Sequence, residues 1–248
     1  MGLFSGLFKS KAVQEQPMGW DMHSHILFGI DDGSKSLDYS LLMAERFIRN
    51  GYSKIIATPH IMSDYYPNNR AIIEDKMQQL NLALKERDLP LELGCAAEYY
   101  MDEYFLEKVR SDGDLMTFNG KHVLVETSFM NRPVFFRQVL FEIRTKGYIP
   151  VLAHPERYIY LQEQYSEVEE LVQSGVKLQI NLLSLGGYYS PNAKKLAQWL
   201  IKNGHYSYFG TDAHSTEHLD LIQEVYQSKL FSSIDFSKVE NTGQLKGL

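Results

Sequence analysis

The sequence predicts an α/β fold of one domain, a closed or nearly closed barrel of strand–helix units. Three observations carry that expectation. From Met18 onward, seven short β-rich runs alternate with runs of helical spacing. Three of the helical runs stop at a glycine just before the next strand. Residues able to bind metal gather where strand runs end. Strict alternation of this kind is built from parallel strands joined by crossover helices. An open doubly wound sheet is the alternative that the alternation leaves standing.

The elements follow in order. A first strand is expected over 19–22. Leu37, Leu41, Leu42 and Ile48 then recur at helical spacing, and Gly51 ends that helix. A second strand over 54–58 precedes a helix over 72–87, which Leu89-Pro90 terminates. The third and fourth strands fall at 91–97 and 122–126. Helices over 133–146, 165–173 and 191–203 end at Gly147, Gly175 and Gly204, and each leads into a strand, at 149–153, 176–181 and 206–211.

Composition narrows the function classes. A chain of 248 residues with 44% hydrophobic content can bury a full core in one domain. The net charge of -6 leaves no basic surplus for phosphate backbones, so nucleic acid is not expected as a partner. The single cysteine, Cys95, rules out an internal disulfide and suits a reducing, cytoplasmic setting. No apolar run approaches the ~20 residues that span a bilayer. Residues 1–17 read as a flexible extension ahead of a domain over 18–248. Leu3, Phe4, Leu7 and Phe8 with Lys9 and Lys11 make weak peripheral membrane contact through residues 3–11 the alternative reading. The apolar core there is too short for a signal peptide, and Gly6 stands where an acylation signal needs Ser or Thr.

The phrase Asp21-Met22-His23-Ser24-His25 is the most informative in the chain. Residues two apart on a strand point the same way, so His23 and His25 converge as half of a metal site. His60 follows the second strand, Glu98 the third, His154 the fifth, and Asp212 with His214 the seventh. In β/α barrels that end of the strands carries the active site. His122 begins a strand and His205 precedes one, so both are read as structural, and His218 as a solvated helix face. Asp31 and Asp32 compete for one ligand role, and spacing alone does not choose between them. A cysteine-dependent phosphatase needs an arginine six positions after its thiolate, but Met101 stands six after Cys95. No phosphate-binding P-loop and no Gly-x-Ser-x-Gly elbow is present.

Beyond the histidine pair, the chain contains Asp31-Asp32-Gly33-Ser34-Lys35-Ser36, Ala57-Thr58-Pro59-His60, Ala97-Glu98-Tyr99-Tyr100, Ala153-His154-Pro155-Glu156-Arg157-Tyr158 and Thr211-Asp212-Ala213-His214. With these phrases the sequence resembles the PHP (polymerase and histidinol phosphatase) superfamily from Met18 to about Leu230. More narrowly, it resembles the bacterial manganese-dependent tyrosine phosphatases of the CpsB type. The resemblance implies a distorted (β/α)7 barrel around three metal ions, Mn2+ first, with Fe or Zn as alternatives. It implies His23, His25, Glu98 and Asp212 around one ion, Glu98 bridging to a second held also by His154, and Asp32, His60 and His214 around the third. Arg157 would clamp the phosphate, with Asp212 and His214 also catalytic.

The implied reaction is hydrolysis of phosphotyrosine by metal-hydroxide attack. The implied partner is a phosphotyrosine protein, the tail of a bacterial tyrosine kinase governing capsule or exopolysaccharide synthesis. A phosphatase of small esters such as histidinol phosphate, or a catalytically silent PHP scaffold, are the competing readings. Tyr65, Tyr66, Tyr99, Tyr100, Tyr188 and Tyr189 are candidate walls for a phenol ring. Ile61-Met62-Ser63-Asp64 lacks basic residues found in some members, which bears on substrate preference.

Overall fold

A computed structural model describes residues 18–111 and 113–245. The extension over 1–17, with its membrane-contact segment, lies outside the described residues. Among the described residues, eight strands form two parallel sheets. One pairs β1 (Lys54–Ala57) with β3 (Glu92–Cys95). The other runs β2 (His60–Ile61), β4 (Glu98–Tyr100), β5 (His122–Glu126), β6 (Ile149–Ala153), β7 (Lys177–Asn181) and β8 (Tyr208–Gly210). The order follows the chain without reversal, whereas a doubly wound sheet needs a reversal.

The strands expected at 54–58 and 91–97 each continue beyond a break. β1–β3 and β2–β4 keep one register, with Ala57 opposite Cys95 and His60 opposite Glu98. Between them stands Pro59, which has no N–H to give to the ladder. The continuation places His60 beside Glu98.

The strand expected at 19–22 is instead a pair of isolated bridges, Asp21 with Ile55 and Ser24 with Ala213. The reason is that its hydrogen bonds are divided between two neighbours. Asp21 N and O bond Lys54 O (3.1 Å) and Ile56 N (2.8 Å), and Ser24 O accepts from Thr58 N. On the other side His25 N donates to Ala213 O at 3.0 Å, and Asp212 N donates to His23 O at 2.7 Å. Residues 21–25 therefore lie between β1 and the segment after β8.

Side chains from alternate strand positions divide the interior. Trp20, Met22, Ile56, Leu124, Val151, Ala153 and Tyr208 belong to one buried cluster with Phe118. Ile55, Val123, Val125, Leu152 and Phe209 belong to the larger core that the helices cover. Helix α1 (Leu37–Arg49) buries Leu41, Met43, Ala44 and Phe47, and Ser36 caps its start by accepting from Tyr39 N. α2 (Arg70–Glu86), α5 (Tyr165–Gln173) and α7 (Pro191–Asn203) match their expected places. α4 (Phe136–Thr145) starts three residues later than expected. α3 (Glu103–Arg110), α6 (Leu182–Gly186), α8 (Thr216–Tyr226) and α9 (Lys229–Ser232) were not expected. No helix among the described residues is long and apolar enough to cross a membrane.

Candidate metal centre

All the expected ligand residues meet at one end of the sheets, with His60 and Glu98 just past the breaks that follow β1 and β3. Glu98, which opens β4, is central. Its Oε2 lies 3.2 Å from His23 Nε2, 3.3 Å from His25 Nε2 and 3.2 Å from His60 Nδ1, and its Oε1 lies 3.2 Å from His154 Nε2. Asp212 Oδ1 is 3.3 Å from His23 Nε2 and 3.2 Å from His25 Nε2. Asp32 Oδ1 stands 3.3 Å from His214 Nε2 and 3.5 Å from His60 Nε2. Among the described residues, three groups of donors are close enough to hold an ion: His25, Asp32, His60 and His214; His23, Glu98, His154 and Asp212; and His60, Glu98 and Glu126.

The donor set fits divalent metal. Glu98 Oε2 and His60 Nδ1 are buried and make no hydrogen bond, although several polar atoms surround them. Such atoms are costly unless something satisfies them, and a cation between facing lone pairs does. The tautomers agree. His25 Nδ1 meets the Asp31 carboxylate at 2.8 Å, and His214 Nδ1 meets the Asp212 carbonyl oxygen at 2.8 Å. Each oxygen draws the proton outward and leaves Nε2 free to bind.

The same contacts separate the two aspartates. Asp31 is buried behind His25 and accepts from Gly33 N at 2.9 Å, whereas Asp32, 47% exposed, faces His60 and His214. Gly33 allows the loop to pass this close, since a Cβ there would lie 2.1 Å from His25 O.

Electrostatics of the bare site are in conflict. Burial favours the neutral form of Glu98 and Asp212, but His23 and neighbouring positive groups outweigh it and hold both well below the usual carboxylate range. Burial, then the charge of Glu98, pushes Glu126 well up. Burial would lower His25, but Asp31 and the other carboxylates raise it well above the ordinary imidazole value. Burial, reinforced by Arg157, lowers His154 to about 4. A bound cation would let these carboxylates ionise together. Two site residues carry backbone strain: His154 (φ 31°) and Asp212 (φ 49°) are both left-handed non-glycine residues.

Arg157 borders the centre. Its guanidinium donates to Asp212 Oδ2 at 2.7 Å and lies between Phe129 and Tyr189, 4.3 and 4.1 Å from their ring centres. It does not pair with Glu156, whose Oε1 instead accepts from Asn181 N and Ser184 Oγ. Phe129, Arg157, Ile159 and Tyr189 line an open cleft beside the centre.

A family model described as capsular polysaccharide synthesis, CpsB/CapC, matches residues 19–222. The chain belongs to the CpsB/CapC family. It is 31% identical over 228 residues to the tyrosine-protein phosphatase YwqE of Bacillus subtilis, covering 89% of each chain. It is 28% identical over 202 residues to the tyrosine-protein phosphatase CpsB of Streptococcus agalactiae, covering 79% of this chain and 83% of the relative. A solved structure in the set of YwqE from B. subtilis and CpsB from Streptococcus pneumoniae, described as unique metal-dependent tyrosine phosphatases, aligns with TM-score 0.73 at 31% identity. That alignment covers 85% of this chain and 89% of the other. A β-aspartyl dipeptidase from Fervidobacterium islandicum aligns with TM-score 0.54 at 13% identity, a likeness of fold alone.

In this CpsB/CapC-family chain, sequence reasoning missed Glu126. The signal was available, because Glu126 is the last residue of an expected strand, like the positions that were singled out. Its carboxylate lies 3.5 Å from His154 Nε2 and 3.6 Å from His60 Nδ1. The expected set of His23, His25, Glu98 and Asp212 stands together through contacts of 3.2–3.3 Å, and His25 also stands with Asp32, His60 and His214, and His23 with Glu98, His154 and Asp212. Tyr66 stacks on His60, ring centres 5.5 Å apart, and Tyr189 on Arg157. Tyr99 is no wall: it is buried in the core and its OH accepts from Met116 N. His218 is not on a solvated face, but packs half-buried against Tyr188 and His214. His122 meets Asn119 O at the opposite strand ends.

Proposed function

We propose that this CpsB/CapC-family protein is a metal-dependent protein-tyrosine phosphatase, built as a distorted (β/α)7 barrel in which residues 21–25 supply the first strand. The observation that carries the reading is the set of three donor groups sharing Glu98 and His60, with Arg157 at their edge. Each group would hold one ion, three in all: His25, Asp32, His60 and His214; His23, Glu98, His154 and Asp212; His60, Glu98 and Glu126. A neutral imidazole has one free lone pair, so His60 would ligate in only one of the two groups that share it. Mixed imidazole and carboxylate donors suit Mn2+, with Fe and Zn next. Bound ions supply an activated water and neutralise phosphoryl charge.

The chain's own residues supply the rest. Arg157 offers a planar fork to phosphoryl oxygens, and its brace on Asp212 fixes where that fork points. Asp212 stands between Arg157 and the imidazoles of His23 and His25, so the phosphate would be received beside the ligand carboxylate. His214, with its Nδ1 proton held by Asp212 O, presents Nε2 inward. Phe129 and Tyr189 offer apolar faces to a phenyl ring. A phenolic leaving group, with a parent pKa of ~10, departs without a strong acid. The partner that fits is a phosphotyrosine protein, the tyrosine-rich tail of a bacterial tyrosine kinase in capsule or exopolysaccharide synthesis, met in the cytoplasm.

The test is metal analysis of protein purified without chelator, followed by hydrolysis of a phosphotyrosine peptide and of histidinol phosphate with Mn2+. Faster turnover of the peptide, lost with EDTA, is expected. Preference for histidinol phosphate would reassign the substrate. Bound metal without turnover of any phosphoester would make the chain a scaffold.

A further inference from the structure

Gln179, at the middle of β7, lies fully buried behind the metal centre. Its Oε1 accepts from the backbone N–H of His154 at 3.2 Å and lies 3.0 Å from His23 Nδ1. A peptide N–H only donates, so the amide oxygen, not the nitrogen, must face this pair. His23 Nδ1, sharing that oxygen, must then carry the ring proton. The lone pair of His23 is thereby placed on Nε2, which faces Glu98 at 3.2 Å and Asp212 at 3.3 Å. Without an acceptor at Nδ1 the other tautomer competes, and its Nε2–H would bond one of those carboxylates and close the ligand position.

Two further observations show that this arrangement is held at a cost. Gln179 Nε2 is buried and makes no hydrogen bond, so the amide is kept for what its oxygen does. Gly210, on the neighbouring β8, makes room for it: a Cβ there would come 2.9 Å from Gln179 Nε2 and 2.8 Å from His23 Cβ. The same oxygen also holds the N–H of His154, the residue strained at φ 31°. One atom therefore connects two candidate ligands from separate segments. His25 and His214 rely on a carboxylate and a carbonyl for the same purpose, whereas His23 relies on a neutral amide.

We infer that Gln179 is a positioning residue, which fixes the tautomer of His23 and the seat of His154 and so sets the affinity of the centre for divalent metal. This rests on the metal-centre reading above. The test uses the full chain and reads metal binding rather than phosphatase activity. In zinc-loaded wild type, long-range proton–nitrogen correlation of the histidines should find His23 with Nδ1–H. Mn2+ affinity, measured by competition with a chelator, should fall roughly 10–100-fold in Gln179→Met, the range for removing a group that orients a ligand. Gln179→Glu, which keeps the acceptor, should recover most of that loss.

His23 found with Nε2–H, unchanged Mn2+ affinity in Gln179→Met, or Gln179→Glu as weak as Gln179→Met would each overturn the inference. If Gln179→Met does not fold, wild type and Gln179→Glu decide it: loss of affinity in Gln179→Glu despite Nδ1–H overturns it, and retention supports it. Wild type that binds no Mn2+ overturns both this inference and the metal centre. Metal-replete wild type that leaves phosphotyrosine intact removes only the substrate assignment.

Discussion

Arg157 is held from three sides, by Asp212 and by the faces of Phe129 and Tyr189. That fixes a planar cation beside the donor groups, and charge stabilisation by such a group is large when it is preorganised. Arg157→Ala is expected to lower kcat/KM on a phosphotyrosine peptide by roughly 10²–10³, or ~2.7–4 kcal/mol. Arg157→Lys should recover only part, because an ammonium keeps the charge without the fork. Since Asp212 loses its brace, bound metal measured alongside should also decline. Near wild-type rates in Arg157→Ala would remove the residue from the site. Cys95 makes the opposite prediction. Burial pushes its thiol up to about 11, so at pH 8 about a thousandth is thiolate. Cys95→Ser should keep full turnover, and alkylation of the native thiol should be slow at pH 8 and accelerate as pH approaches 11. Loss of activity in Cys95→Ser with metal retained would mean that the thiol takes part in the reaction.

At the scale of elements, the segment from Gly19 to His25 depends on a contact far along the chain. Asn241 Nδ2 donates to Trp20 O and Phe209 O, both at 2.8 Å, and its backbone O accepts from Gly19 N at 2.7 Å. Asn241→Ala strands two buried carbonyls and should cost roughly 3 kcal/mol, at ~1–3 kcal/mol for each group left unpaired. Urea unfolding measures it, and an unchanged midpoint would show that Asn241 is not what ties these segments. This dependence explains what the sequence could not show. The run 19–22 has the right composition for a strand, but its pairing is divided between Lys54–Ile56 and Asp212–Ala213, partners that no local pattern reveals. His23, His25, His60, His154, Asp212 and His214 were legible because ligand-type residues adjoin apolar strand runs. Gln179 was not, because an inward glutamine in a strand looks like any polar alternation. Its role depends on which imidazole the register places opposite it. Helix α8 was within reach, since Leu219, Ile222 and Val225 recur at helical spacing and all are buried, whereas the five-residue α6 is too short to carry a period.

For the whole molecule, the candidate ligands come from segments as distant as His23 and His214, and the residues between them include every strand of both sheets. An ion held by them would bind the folded chain and not the unfolded one, in which these groups are far apart. Ligand present at 100 times its dissociation constant then stabilises the fold by ~2.7 kcal/mol. For a chain of this size each kcal/mol moves Tm by about 2–4 °C, so saturating Mn2+ should raise Tm by roughly 5–10 °C over the chelated protein. The bare site adds to the contrast, because Asp32, Glu98, Glu126 and Asp212 then share one end of the strands with Arg157 and the imidazoles as the groups that offset their charge. EDTA should therefore abolish turnover and lower Tm together, and added Mn2+ should restore both. Thermal unfolding followed by circular dichroism, with phosphopeptide turnover on the same samples, measures the coupling. Equal Tm values with and without Mn2+ would mean that the three donor groups hold no ion. A Tm shift without recovery of turnover would mean that the ions hold the fold together without serving the chemistry proposed for Arg157 and Asp212.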